Sequence, residues 1–384
     1  MEKKNTPRTI KIFSIVSFLN DFGSDIIYPI WPLFVRNVLG ANMAVLGLID
    51  GLGDAIVSIS QAVSGYISDR IRKRKIFIWL GYLCGSLSRI GYALTTTWHW
   101  LIPFRILDRA GKIRAAPRDA IIADISIREN RGRNFGLLRT MDNLGAVCGT
   151  IFCILLFKFL GYKNLFLFAA IPSIIGVLLV LFFIKDAKTE NIKIYKGLNF
   201  RDLDKNFKLF LFLSSLFALG SFSYSFLLIY AEECGCKTAF VPVLYLVFSG
   251  IAAIFSLFFG KLSDKIGRKS VLIMAFILWG LVCLNFIFFD SRIAIILTFV
   301  LYGLHKAALD TVQKTFVSEL APVEYRASTL GGFQMVIGLC ALPASLAAGM
   351  MWDKINIHTP FYCSLGLTVV AVIMMLFVKE KGQE

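Results

Sequence analysis

Apolar runs of about 20 residues recur along nearly the whole chain, the length an α-helix needs to cross the hydrocarbon core of a bilayer. Nothing else in the sequence restricts the fold so strongly. Membrane-spanning strands would alternate polar and apolar residues over about ten positions, and these runs do not. Composition agrees: 57% of the 384 residues are hydrophobic, 35 are Phe, and mean hydropathy is +0.70. Only 17% are charged, against roughly 25% in soluble globular chains. The fold class expected is an all-α membrane protein with twelve transmembrane helices. Runs and breaks place the first six at roughly 9–35, 43–68, 76–96, 100–124, 134–160 and 165–184. A polar segment, 185–206, follows. Six more spans come next, at roughly 207–232, 238–263, 270–289, 292–319, 329–352 and 360–378. The expected domains are an N-terminal six-helix bundle over 1–184, a cytoplasmic linker over 185–206 and a C-terminal six-helix bundle over 207–384. The opening MEKKNTPR leads straight into a span long enough to cross, so it reads as an uncleaved anchor.

The formal net charge is +16. With the N-terminus inside, about 25 Lys and Arg fall on that side and about 6 on the other, the asymmetry of the positive-inside rule. That assigns the excess charge to topology and to anionic lipid headgroups, with no nucleic-acid partner, and places both termini in the cytoplasm. The eight cysteines are scattered without metal-ligand spacing, so no metal is expected. Cys234 and Cys236 read as free thiols, because a bridge between such near neighbours would be strained.

One span breaks the apolar rule. Phe104–Asp124 carries Arg105, Asp108, Arg109, Lys112, Arg114, Arg118 and Asp119. Each charge at the bilayer centre costs roughly 2.5–3.5 kcal/mol on insertion scales, so the set cannot face lipid. On one continuous helical wheel, Arg105, Asp108, Arg109, Lys112 and Asp119 share a stripe, with Arg114 and Arg118 opposite unless Pro117 bends the helix. The stripe reads as part of a polar pathway through the membrane. On the first span Asp21, Asp25, Tyr28 and Pro32 share a face, beside Asn20 and Pro29. Segments broken by proline are tolerated only where they line a cavity or pack on protein. Asp50, Asp54, Gln61 and Gly65 share a face of the second span, and Arg139, Asp142 and Asn143 cluster on the fifth. The second half offers His305, Lys306, Asp310, Gln313 and Lys314 on the tenth span, and serines with Tyr224 on the seventh.

The chain repeats itself. GYISDRIRKRK from Gly65 and GKLSDKIGRKS from Gly260 lie 195 positions apart, and the same shift sets Asp124 against Glu319, Arg131 against Arg326 and Gly136 against Gly331. In the loop after the second span of each half, Gly65, Asp69, Arg70, Lys73 and Arg74 answer to Gly260, Asp264, Lys265, Gly267, Arg268 and Lys269. Arg72 stands where the second copy has Gly267. This duplicated motif resembles the signature loop of the major facilitator superfamily, and Phe104–Asp124 resembles a poorly characterised group of prokaryotic permeases within it. In that group another glycine usually follows the lysine; its absence after Lys112 would rotate everything downstream by one residue.

The resemblance implies two pseudo-symmetric six-helix bundles that rock about a midplane site. It implies that the loop residues are a conformational latch, made in the outward-open state and broken in the inward-open one. It also places the first, fourth, seventh and tenth helices around a central cavity, flanked by the second, fifth, eighth and eleventh. All the embedded charges named above fall on those eight helices; Arg89, on the third, does not. GAVCGT (Gly145–Thr150) resembles the glycine-rich stretch of superfamily antiporters, with Thr150 in place of proline. Arg105-x-x-Asp108-x-x-Gly111 resembles a stretch of the drug antiporters, with Asp108 for Gln and one Gly absent.

Near balance of embedded acids and bases implies structural ion pairs, a role expected for Asp50, Asp54, Arg114, Arg118 and Arg139. Asp21, Asp25, Tyr28, Arg105, Asp108, Arg109, Lys112, Asp119, Asp142, Lys306 and Asp310 are the candidate substrate and proton pathway. Asp25, level with the proline break, is the first choice for a proton-coupling acid and Asp21 the second. Signatures of soluble enzymes and of a phosphate-binding loop are missing, so the energy source expected is an ion gradient, of protons, with no cofactor. The function expected is proton-coupled export of a small organic solute by a monomer in the cytoplasmic membrane of a prokaryote. Uptake of an organic anion is the alternative within the class. A non-transporting sensor, for which linker and tail leave no signalling segment, a lipid scramblase and an intramembrane enzyme are the alternatives outside it.

Overall fold

A backbone in hydrocarbon must satisfy its own hydrogen bonds, and a chain of long apolar runs does so as helices. The structure, a computed structural model, describes residues 6–71, 73–126, 130–184, 204–321 and 326–380, and no strand occurs among them. The expected linker 185–206 lies outside the described residues except for its last three. Helix α1 (Thr6–Ile27) runs to a turn at Tyr28, Pro29 and Ile30, then resumes as the short α2 (Trp31–Leu33) and a π turn, Phe34–Val38. Next come α3 (Met43–Ile71), α4 (Arg74–Leu94) and α5 (Trp98–Ala110), which tightens into a 3-10 turn, Gly111–Arg114, before α6 (Ala115–Ile125). The long α7 (Arg131–Phe183) is two limbs meeting at Gly161, whose φ of 65° no L side chain adopts cheaply. The second half comprises α8 (Lys205–Gly220), α9 (Tyr224–Glu233), α10 (Val241–Ile266), α11 (Arg268–Phe288), α12 (Arg292–Leu320), α13 (Arg326–Lys354) and α14 (Thr359–Leu376).

Eight described helical stretches are long and apolar enough to cross a membrane. One of them, Arg133–Phe183, is 51 residues long, about 77 Å at 1.5 Å per residue, and so makes two crossings. α1, α4 and the α5–α6 stretch, each carrying embedded charges, supply three further crossings, which brings the described crossings to the twelve expected. Many large apolar side chains stand exposed, Phe159, Phe182 and Leu155 among them, as a lipid-facing surface requires.

The chain forms two compact units, Met1–Gly40 with Ile56–Tyr195, and Ala41–Ala55 with Lys196–Glu384. In the first, Phe13 and Val16 of α1, Ile78 and Tyr82 of α4, Ile121 and Ile122 of α6, and Leu138, Val177 and Val180 of α7 make a dry core. α1 packs along α7 because Gly145 and Gly149 present bare backbone; a Cβ on either would collide with the carbonyl of Phe18 or Phe22. The glycine pair of GAVCGT is thus a helix contact that sets α1 and α7 in parallel register. In the second unit Trp279 centres an aromatic cluster with Phe222, Tyr302 and His305, and donates from Nε1 to Ser364 Oγ at 2.8 Å. The start of α3 belongs to this unit: Asp353 of α13 accepts from the backbone N–H of Met43 (3.1 Å) and Ala44 (2.8 Å), capping the helix.

Candidate functional site

What each embedded charge meets decides whether it is affordable. On α5, Arg105 is 3% exposed and lies over the Trp31 ring, 4.1 Å from its centroid. One turn on, Arg109 lies 5.2 Å from the Tyr28 centroid and donates from Nη1 to the Tyr28 hydroxyl at 3.2 Å. Its Nε stands 3.7 Å from Asp108 Oδ2. A guanidinium is the cation for such a place, since its flat, weakly hydrated face stacks on aromatic rings while its edge reaches acceptors. Tyr28 is delivered by α1: its N–H bonds Ser24 O at 3.1 Å, so the helical face carrying Asp21 and Asp25 continues into the turn. Asp25 is buried on that face. The stripe residues Arg105, Asp108 and Arg109 are therefore gathered against the break in the first span.

Below them the single-wheel expectation needs correction. The 3-10 turn Gly111–Arg114 advances about 120° per residue instead of 100°, so α6 starts out of phase with α5. Lys112 is half-buried within the turn, and Pro117 sits harmlessly in the first turn of α6. Arg114 folds back to Gly111 O (2.7 Å) and over Tyr82 (4.8 Å). Arg118, expected on the far side from Asp119, pairs with it (Nε to Oδ1, 3.0 Å) and donates from Nη1 to Ser17 Oγ of α1 at 2.8 Å. Asn20 donates to Asp21 at 2.7 Å, and Arg139 stands 3.4 Å from Asp142 Oδ2. A second polar group, from α1, α6 and the first limb of α7, thus contains Asp21, Asp119 and Asp142.

Arg89, the exception on the third span, is fully buried and bonds four neutral oxygens. They are Ala169 O (2.8 Å), Ser173 Oγ, Asn20 O (3.1 Å) and Ser24 Oγ (2.8 Å). It fastens α4 to α1 and to the second limb of α7.

The second unit is sparser. Lys306 and Asp310 pair with each other on α12 at 2.9 Å, and Asp310 is exposed. Buried His305 meets Ala275 O through Nδ1 at 2.8 Å. Asp50 accepts from the hydroxyls of Ser223 (2.8 Å), in the break between α8 and α9, and of Ser225 (2.5 Å), in the first turn of α9. Sequence reading named those serines without their partner, and missed Trp31 and Ser17 altogether. Pairing across distant helices leaves no trace in one sequence, although an aromatic at the mouth of a proline break is a usable signal for Trp31.

At the loop motif, Gly267 (φ 94°) turns the chain so that Glu380 accepts from the backbone N–H of Arg268 (2.5 Å) and Lys269 (3.3 Å). Arg268 pairs with Asp264 (2.5 Å) and Glu319 (3.2 Å). In the first copy Arg74 pairs with Asp124, the counterpart of Glu319. Arg70 and Lys73 are exposed and Lys265 is also at the surface. Gly65 packs near Ala116 and Gly260 near Thr311. The Asp69 side chain and Arg72 lie outside the described residues, as do the Arg131 and Arg326 side chains of the repeat.

The family model of the Major Facilitator Superfamily matches residues 13–252 and 209–384. The chain belongs to the Major Facilitator Superfamily. Within it, the chain is 39% identical over 381 residues to an uncharacterized MFS-type transporter, MJ1317, of Methanocaldococcus jannaschii, covering 97% of this chain and 95% of that one. It is 24% identical to the multi-drug resistance efflux pump PmrA of Streptococcus pneumoniae, over 95% and 94% of the two chains. The crystal structure of a bacterial homolog of the human lysosomal transporter Spinster shares the fold, with a TM-score of 0.78 at 14% identity over 97% of this chain and 96% of that one. The protein is a multi-pass membrane protein of this superfamily and a secondary transporter.

Proposed function

We propose that the protein exports a small organic solute across the cytoplasmic membrane by alternating access, in exchange for protons. The observation that carries this reading is the run of ionic groups along α1, α5, α6 and α7, built within the membrane at a cost lipid-facing helices would not bear. Acids set beside guanidinium groups and aromatic rings can exchange a proton for a solute, because protonation changes what the basic groups bind next. PmrA, named an efflux pump, gives the direction its support. The stacked Arg105 and Arg109 suit a solute with an aromatic or anionic part.

The test is the full chain in liposomes with an acidic interior, a pH-sensitive dye inside, and a panel of metabolites and drugs outside. Export coupled to proton antiport predicts that one class of solute accelerates alkalinisation of the lumen and accumulates inside. Accumulation that survives collapse of the gradient by an uncoupler would overturn the proton coupling. Accumulation driven only by a gradient of the opposite sign would favour proton-coupled uptake instead.

A further inference from the structure

The segment that follows α14 is tied down from two sides. Val378 is buried, and the side-chain amide of Asn206, at the start of α8, donates to Lys379 O at 2.7 Å and accepts from Lys379 N–H at 2.8 Å. That pairing presents Glu380 to the start of α11. The Glu380 carboxylate takes two N–H groups that a helix cannot satisfy for itself, those of Arg268 (2.5 Å) and Lys269 (3.3 Å). Gly267 makes room for it: a Cβ there would stand 2.7 Å from Glu380 Oε2, besides straining the φ of 94°. Lys269 completes the strap, its Nζ donating to Leu376 O, at the end of α14, at 2.7 Å.

The strap acts on the residue that joins the loop to its neighbours. Arg268 meets Glu380 through its backbone, while its guanidinium meets Asp264 and Ser263 of α10 and Glu319 of α12. Partly exposed ion pairs of this kind are worth little alone, because long side chains must be ordered to make them. Fixing the Arg268 backbone removes part of that cost. The first copy does not encode the strap. Its lysine anchor is present, Lys75 Nζ to Leu181 O at 2.7 Å, and Leu181 stands 195 positions before Leu376, so the register of the repeat holds there. At that register Gly267 answers to Arg72 and Glu380 to Lys185. Two basic residues cannot make a carboxylate cap, so the strap is an addition of the second half and not a requirement of the fold.

We propose that Glu380 is a positioning residue of the transport cycle: it holds the loop so that Arg268 keeps α10 and α12 together, and thereby sets turnover and not solute affinity. This rests on the alternating-access reading above, and on neither the direction of transport nor its coupling ion.

The experiment reads the loop in the full chain in lipid nanodiscs, where no solute is needed. Hydrogen–deuterium exchange follows the amides of 264–272, and phenylglyoxal labelling, read by peptide mass, follows the Arg268 guanidinium. Glu380→Ala is expected to speed exchange of the Arg268 and Lys269 amides about ten-fold or more, the measure of a charge-assisted bond. It should also speed labelling of Arg268 several-fold, which loss of a helix cap alone would not. Glu319→Gln should speed the labelling too, and the double variant should fall short of the product of the single effects, because both act on one guanidinium. Glu380→Asp should restore part of both readouts. Asn206→Ala, which frees Lys379 without touching the loop, should move both the same way, and it reads the strap if Glu380→Ala fails to fold. Unchanged amide exchange would overturn the proposal, as would faster exchange with Arg268 labelling unchanged or with effects that simply multiply. In the liposome assay, Glu380→Ala should alter turnover about three-fold for any solute of the panel that is moved, with KM within about two-fold of wild type. A changed KM at unchanged turnover would also overturn it. Both loop readouts as expected while no solute is moved would leave the clamp on Arg268 standing and count against the transport reading alone.

Discussion

Replacing Arg89 tests the energetics of the first unit most directly, because its surroundings fix the expected magnitude. Its guanidinium holds two helix carbonyls and two serine hydroxyls, and charge-assisted hydrogen bonds are worth about 1.5–3 kcal/mol each. Four of them would suggest roughly 6–12 kcal/mol, and that figure is too large. The Ala169 and Asn20 carbonyls keep their intrahelical partners after the change. Ser24 and Ser173 can turn to carbonyls four residues back along their own helices. A neutral replacement also no longer carries the desolvation cost of a buried ion. What remains is packing and part of two bonds, so Arg89→Met should cost about 3 kcal/mol, a factor of about 100 in the folding equilibrium. Arg89→Lys should cost about 1–2 kcal/mol, because one ammonium reaches the α1 oxygens or those of α7 but not both sides. Reversible unfolding in mixed micelles measures both, with transport normalised to folded protein. A Met variant as stable as wild type would refute the reasoning, since it would mean that desolvating the ion had cancelled all four bonds. A Lys variant less stable than the Met variant would refute it from the other side.

Trp31→Phe keeps the packing of a buried ring but weakens its hold on Arg105 by about 1 kcal/mol, so KM for the transported solute should rise about five-fold with little change in thermal stability. An unchanged KM would remove Arg105 from the solute path. Glu319→Gln removes one partner of Arg268 and leaves Asp264 in place; unfolding should shift by less than about 1 kcal/mol, while turnover changes at constant solute affinity if the loop works as a latch. Cys234 lies in the turn after α9, where burial pushes its thiol up to about 11 against a lowering hydrogen bond from Tyr230. The thiolate forms above that pH, so in a variant with Cys234 as sole cysteine, maleimide labelling should be slow at neutral pH and rise about ten-fold per pH unit toward 11. A rate already level near pH 8.5 would contradict the burial.

Hydropathy made the spans legible because the bilayer thickness sets their length, and the break at Gly161 falls between two of the expected runs. The proline turn after Ile27 was legible for a local reason, the missing N–H of Pro29. Phase was not. A wheel drawn through Phe104–Asp124 assumes 100° per residue, and four residues of 3-10 turn spoil it for everything downstream; the neighbours Arg118 and Asp119, set on different faces of that wheel, pair with each other because their long and short side chains reach across one residue. Partners were the least legible of all. Arg89 looked misplaced for a cavity residue because its acceptors are neutral oxygens brought from two other segments, and a single sequence carries no sign of them. The Asp50–Ser225 bond spans 175 positions, and α3 begins in the second unit for reasons of packing that periodicity does not encode.

Duplication turns the remaining asymmetry into an argument. At the shift of 195 positions the acid of the loop pair is kept, Asp124 against Glu319, and each meets an arginine of its own loop, Arg74 and Arg268, although Arg74 stands against Lys269 and Arg268 against Lys73. The mid-membrane charges are not kept. Arg105, Asp108, Arg109 and Lys112 stand against Val300, Gly303, Leu304 and Ala307. The second copy therefore builds its helices without ions at those positions, and helix formation and packing do not call for them. Four charges at roughly 2.5–3.5 kcal/mol each are a heavy load for a fold stable by about 5–15 kcal/mol. Their partners, Trp31 and Tyr28 on the first span, offset that load only while α1 and α5 hold their present contact. A first half that retains such groups when its copy manages without them is under a demand other than folding, and transport is the demand a secondary transporter makes.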